Sequence, residues 1–280
     1  MRSRSIAGRK AVNWAVTAFA GLAAALGLVA LAWIIFTIAR NGLAAINWAF
    51  FTTTPESPGG GLANAIVGTA LITLLATALG VPVGLMAGVY LAEFGRDGCF
   101  AKTARFLANI LIGAPSVVIG VFVYTIVVVP MGRFSGIAGG VALAIIMLPV
   151  VTRITEDMLA LVPNALRESA LALGAPEYKM IFQVVFRAAR GGLLTGVMLA
   201  VARVSGETAP LLFTALNNRY WSLAMDQPMA NLTVTTFNYA MSPYADLQAK
   251  AWGASLLITA AVLLLNLTAR LIARDTGGRQ

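Results

Sequence analysis

Histidine is absent from this chain and cysteine occurs once, at Cys99. A single thiol excludes an internal disulfide. Without imidazole there are too few soft ligands for a metal site, so no metal is expected and Cys99 reads as an incidental thiol. Charge is also scarce: 11% of the 280 residues are Asp, Glu, Lys or Arg, against about 25% in an ordinary soluble domain. No GxxxxGK[ST] pattern occurs. The chain therefore has no nucleotide-cradling loop, and ATP hydrolysis or other enzymatic activity is not expected of it. Basic residues outnumber acidic ones by 20 to 11, yet they do not cluster with stacking aromatics in a polar domain, which excludes a nucleic-acid binder.

What remains is hydrophobic: 59% of the residues are apolar, in runs far longer than a soluble core uses, so the bilayer is the solvent for much of the chain. The reading is an all-α membrane protein with six transmembrane helices, at about 14–39, 62–92, 106–130, 136–155, 191–216 and 251–272. Each is long enough to cross roughly 30 Å of hydrocarbon at about 1.5 Å per residue. The run after Arg2 to Lys10 has the charge order of a signal peptide but is too long for one, and is expected to be a retained first helix. Ser57 to Gly61 reads as a turn before the second span. Residues 217–250, with Asn217, Asn218, Asp226, Pro228 and Asp246, are expected to form an external loop. This divides the chain into an N-terminal part, 1–61, a permease domain, 62–272, with a long cytoplasmic loop at 156–190, and a short tail, 273–280.

Cationic loops stay in the cytoplasm, so the placement of Lys and Arg orients the spans. With the N-terminus inside, Arg2, Arg4, Arg9, Lys10, Arg96, Lys102, Arg105, Arg153, Arg167, Lys179, Arg187, Arg190, Arg270, Arg274 and Arg279 are cytoplasmic or at that boundary. Only Arg40, Arg133, Arg219 and Lys250 are outside. Both termini are then cytoplasmic, and the basic balance is chiefly a topology signal. Trp33, Trp48, Tyr220, Trp221, Tyr244 and Trp252 fall near external ends, where amphipathic rings favour the headgroup layer. The glycosylation pattern at Asn231 recurs at Asn266 inside a proposed span, so neither carries weight.

The longest cytoplasmic segment contains Glu168, Ser169 and Ala170, then Gly174, Ala175 and Pro176. Good helix formers up to Leu173, followed by Gly174 and Pro176, predict a short helix, a turn and a second helix. Such an element offers a small face to a partner's groove, although an ordinary connector has the same local pattern.

Arg203 lies about 20 Å along the fifth span from Arg190, and Glu207 about 26 Å. An Arg at that depth costs roughly 2.5–3.5 kcal/mol on insertion scales. Glu207, at i+4, is expected on the same helix face, close enough to offset the charge. Gly206 and Pro210 predict a kink there. The guanidinium fork matches two oxyanion oxygens, so Arg203 with Glu207 is a candidate anion path and Arg153 a second station. A buried pair that fixes helix packing is the alternative for Arg203 and Glu207, and a positive-inside helix end the alternative for Arg153.

The register Glu168-Ser-Ala, Gly174, then Val184-Val-Phe-Arg187 resembles the loop by which bacterial ABC importer permeases couple to their ATPase. It departs from that pattern at Ser169 and at Phe186-Arg187, where Leu-Pro is usual. The stretches Ala202 to Leu216, Pro228 to Thr235 and Ala240 to Tyr244, with Leu148 to Leu161, resemble the PstA family, the permeases of phosphate-specific ABC importers, over most of 62–272. The resemblance implies a type I ABC importer permease (MetI-like) fold in the bacterial inner membrane. It also implies a PstC-like second permease, two copies of a PstB-like ATPase that uses ATP and Mg, and a periplasmic PstS-like phosphate-binding protein. No cofactor is implied on this chain, and the loop at Glu168 to Pro176 would carry the ATPase coupling. A permease for sulfate, molybdate or phosphonate remains open from the residues, as does an ATP-independent transporter or channel.

Overall fold

The computed structural model describes residues 6–56, 60–95 and 98–277. Arg2, Arg4, Arg96 and Arg279, with Ser57 to Gly59 of the expected turn, lie outside these residues. The described residues form helices and no strand.

Helix α1 (Ile6–Ala45) is apolar all round. It is exposed along residues 8–36, as expected of a helix whose surroundings are lipid. It meets the rest of the chain through its C-terminal end, where a Cβ on Gly42 would stand 2.7 Å from Leu256 Cβ. Helix α2 (Trp48–Thr52) is capped by Asn47, whose side chain accepts from Phe50 N–H at 2.8 Å.

The centre of the molecule is the pair α3 (Ala63–Gly95) and α6 (Gly136–Ala160). Along α3, Ala76, Gly80, Gly84 and Gly88 recur every four residues and make one buried face of small side chains. That face lets the two backbones touch, since lipid offers no hydrophobic drive and close packing must supply the attraction. A Cβ on Gly80 would lie 3.1 Å from Ala144 O, and one on Gly84 2.8 Å from Val151 Cβ. Gly88 faces Thr155 in the same way. Ile72, Leu143, Met147, Val151, Val204 and Leu211 complete this core.

The structure corrects three expectations from sequence. The proposed third span, 106–130, is not one rod: α4 (Cys99–Gly113) and α5 (Ser116–Met131) are bent by 105° at Ala114 and Pro115. Pro115 pushes Ala114 out of the helical region, to φ −70° and ψ 138°. Among the described residues, five helices are thus long and apolar enough to cross a membrane, or six with the bent pair as one. The fifth span ends at Ser205 instead of reaching 216: α8 (Glu177–Ser205) stops, and a short α9 (Ala209–Leu212) follows. Residues 217–250 are not a free loop either. They contain α10 (Leu232–Ala240), with Leu232, Thr233, Val234, Thr235 and Tyr239 buried, and the first turn of α11 (Ala245–Gly277). Asn231, fully buried, caps α10. Leu232 N–H donates to Thr69 Oγ1 of α3 at 2.8 Å, so the segment satisfies its polar groups inside the protein.

Between α6 and α8 lies α7 (Asn164–Ala172), the expected short helix. Gly174 has φ +79°. Its N–H donates to Leu171 O at 2.9 Å, while Ala175 N–H donates to Ala170 O at 3.1 Å. This pair of bonds closes a helix through a left-handed glycine. The second helix begins at Glu177 and runs into α8 by way of a π turn, Met180–Val185. Phe186 and Arg187 sit inside α8, so the departure from Leu-Pro leaves an unbroken helix.

Candidate translocation site and coupling loop

The end of α8 is set by Gly206, with φ −97° and ψ 0°, and by Pro210 at the first turn of α9. Pro210 also packs closely on α5: a Cβ on Gly120 would stand 2.7 Å from Pro210 Cα. The expected kink is therefore a full break. Glu207 falls beyond the helix end, so the i+4 relation to Arg203 does not bring the two together, and among the described residues no ion pair joins them. Arg203 is exposed on the surface of the single chain, and Glu207 is half-buried.

A break leaves carbonyls without helical partners. Thr233 answers one of them: its hydroxyl donates to Glu207 O at 2.9 Å and lies 3.1 Å from Asn231 Oδ1. Asn231 Oδ1 also accepts from Val234 N–H at 2.9 Å, and its amide donates to Leu216 O at 3.2 Å. Leu216 is the one non-glycine described with positive φ, at 57°. A polar knot of Asn231 and Thr233 thus holds both ends of the 206–216 segment, including the left-handed Leu216. Sequence reading missed these two residues, and an Asn-x-Thr lying between buried apolar neighbours was the available signal.

Arg153 is not beside Arg203. α6 and α8 pack antiparallel, with Ile154 on Gly196 and Met158 on Gly192, which puts the two arginines about 10 Å apart along the bundle. Arg153 pairs instead with Glu156 at 3.3 Å and Asp157 at 3.4 Å. Glu156, 9% exposed, also receives Arg105 Nε at 2.6 Å. A second pair, also missed from sequence, joins Glu93 in the π turn of α3 to Arg167 in α7. Arg167 donates further to the carbonyls of Val162, at 2.6 Å, and Leu159, at 2.8 Å. The available signal for both pairs was an acidic residue at the end of an otherwise apolar helix.

In the loop, Glu168 and Ser169 are exposed, and the Ser169 hydroxyl donates to Ala165 O at 2.7 Å. Ala170 turns inward onto Val162, Met180 and Ile181, which seats α7 on α8. Ala175 is half-buried, while Gly174 and Pro176 are exposed. Leu173, 88% exposed, and Leu161, 74% exposed, stand out with Tyr178 and Phe182 as apolar side chains uncovered by this chain.

The family model for binding-protein-dependent transport system inner membrane components matches residues 80–275. The chain belongs to that family. It is accordingly an inner-membrane transport component of the permease type. A PstA phosphate transport system permease protein of Yersinia pestis is 53% identical over 249 residues, covering 88% of this chain and 84% of that protein. Its counterpart in Pasteurella multocida is 48% identical over 265 residues, covering 94% and 95%. A probable PstA of Methanocaldococcus jannaschii is 36% identical, covering 89% of each. Within the family, then, the chain groups with the PstA permeases. Among solved structures, the MetNI methionine ABC transporter in an inward-facing conformation has a TM-score of 0.64 at 21% identity, over 77% of this chain and 95% of the matched one. A bacterial alginate ABC transporter has a TM-score of 0.69 at 14% identity, over 97% and 98%. These two share the fold, so the expected all-α MetI-like permease fold is borne out.

Proposed function

We propose that the chain is the permease subunit through which an ABC importer moves inorganic phosphate into the cytoplasm, forming half of the path. The observation that carries this is near-full-length similarity to permeases named for phosphate transport, at 48–53% identity in two bacteria. The exposed guanidinium of Arg203 at the helix break supports it. An unpaired cation at that depth needs a counter-ion, and a passing oxyanion offers one while two oxygens match the guanidinium fork.

The second half of the path is a PstC-like permease, facing the surface that carries Arg203. Two PstB-like ATPases use ATP and Mg, and one docks on α7 with Leu173, Tyr178 and Phe182 as its apolar contacts, by helix-in-groove recognition. The periplasmic PstS-like binding protein delivers phosphate at the opposite end. Both termini and α7 lie on the cytoplasmic side, in keeping with Arg105, Arg167 and Arg187 at that end of the bundle. ATP-driven movement of α7 tilts α6 and α8 and alternately opens the path, with phosphate passing Arg203.

The test is reconstitution of the chain with its co-purified partners in vesicles. Uptake of phosphate that requires ATP and exceeds that of sulfate is expected. Uptake that favours sulfate or molybdate reassigns the cargo, and uptake by the chain alone without ATP removes the importer reading.

A further inference from the structure

At the end of the bundle opposite α7 is a cavity of about 400 Å³. It lies between the start of α3, the segment after Leu216, and one side of α10 that continues into α11. Arg219 is the one charged residue in its lining, and the amides of Asn64, Asn217 and Asn238, the Thr235 hydroxyl and the Tyr239 phenol supply most of its polar groups. Apolar pockets are the common form of ligand site, so an amide-rich one with a single cation selects for a small, strongly hydrogen-bonding anion.

Three observations support a ligand there. Asn64 is 94% buried, its amide donates to Asn218 O at 2.8 Å, and its Oδ1 has no partner. Leaving such an atom unsatisfied is costly in a native fold, and because this oxygen accepts, the partner it lacks is a donor such as the P–OH of a protonated phosphate. Next, Arg219 is only loosely held, 3.9 Å from Glu56 and largely exposed, so its fork is available. Finally, one helix links the lining of the cavity to the break in α8. α10 presents Thr235, Asn238 and Tyr239 to the cavity, and its Thr233 holds the Glu207 carbonyl.

Electrostatics favour brief occupancy over trapping. Burial raises the Tyr239 phenol above its usual pKa; Arg219 opposes this, and Glu56 and Asp246 add to it. The phenol therefore stays an O–H donor near neutral pH, while the two carboxylates that act on it weaken the hold on any anion.

We propose that this cavity is an outer oxyanion site, where inorganic phosphate is received before it passes to Arg203. The proposal rests on the phosphate reading above. Arg219 supplies the charge, and the amides of Asn217 and Asn238 with the Tyr239 phenol donate to the oxygens.

Binding of radiolabelled inorganic phosphate to the detergent-purified permease complex, without the binding protein, tests this directly. Saturable binding is expected in the wild type. Asn238→Leu, which fills the cavity from inside, and Arg219→Gln should each weaken it about tenfold, the loss of one charge-assisted hydrogen bond. Arg219→Lys should keep most of it. Absent wild-type binding, or binding unchanged in both variants, overturns the site. Vesicle uptake by the wild-type complex separates the two readings: uptake without this binding removes the outer site alone, whereas no phosphate uptake removes both.

Discussion

Arg167 and Glu93, far apart in sequence, face each other across two parallel contacts: Nη2 to Oε1 at 2.7 Å and Nε to Oε2 at 3.1 Å. Side-chain exposure is 15% and 7%, so the fork is held out of water. It ties the base of α7 to the last turn of α3.

Arg167→Ala leaves Glu93 as an uncompensated buried charge, which costs about 3–5 kcal/mol. The expected outcome is faster amide hydrogen exchange through residues 159–175 and lower thermal stability in detergent. The double variant Arg167→Met with Glu93→Met should recover much of the stability but not phosphate uptake.

Gly174→Ala forces an L residue into φ +79°, where nothing surrounds the new methyl group. The cost is purely conformational, about 1–2 kcal/mol. Membrane insertion should be normal and coupled ATP hydrolysis reduced, with Gly174→Asn milder because Asn tolerates that region. Charge reversal at Glu168 should reduce uptake similarly without loss of insertion. Normal uptake in Gly174→Ala and in the Glu168 variant would leave α7 as a connector.

Arg203→Gln removes the charge and keeps much of the side-chain length. Phosphate uptake should fall below detection while the chain still co-purifies with its partners. Wild-type uptake in this variant would leave Arg203 with no part in the path.

Thr233→Val keeps the shape and removes the donor to Glu207 O, at a cost of about 1–3 kcal/mol for the stranded carbonyl. Uptake should drop and be restored by Thr233→Ser. A variant with unchanged melting temperature and uptake would show that water replaces the hydroxyl.

Gly84→Val places branched carbons where a single Cβ already reaches 2.8 Å from Val151. Overpacking of this kind costs about 1–3 kcal/mol. A lower melting temperature in detergent is expected, with partial rescue by Val151→Ala.

The sequence was most legible where one-dimensional signals match the physics of lipid. Long apolar runs located α1, α3, α6 and α11, and Gly174 with Pro176 marked the end of α7. Hydropathy is blind to direction, so the 105° bend at Pro115 was read as continuous. It also equates polar with external. Asn217, Asn218, Asp226, Pro228 and Asp246 made 217–250 look like a loop, whereas its Asn231, Thr233 and Thr235 find partners inside the protein. The partnership of Arg105 with Glu156 spans 51 positions, and that of Arg167 with Glu93 spans 74, so local reading assigned both arginines to topology alone. For Arg203 and Glu207 the error was subtler: the i+4 rule holds only inside a helix, and Gly206 ends it.

The seam of Ala76, Gly80, Gly84 and Gly88, along which α3 meets α6, has a mechanical meaning. Two backbones in direct contact have no layer of long side chains between them to absorb a displacement by changing rotamer. Over the roughly three turns and 18 Å of the seam they form a stiff strut, so a push from the Glu93 side is carried along it with little lost on the way. The breaks at Pro115 and at Gly206 offer places where a displacement is taken up without bending that strut.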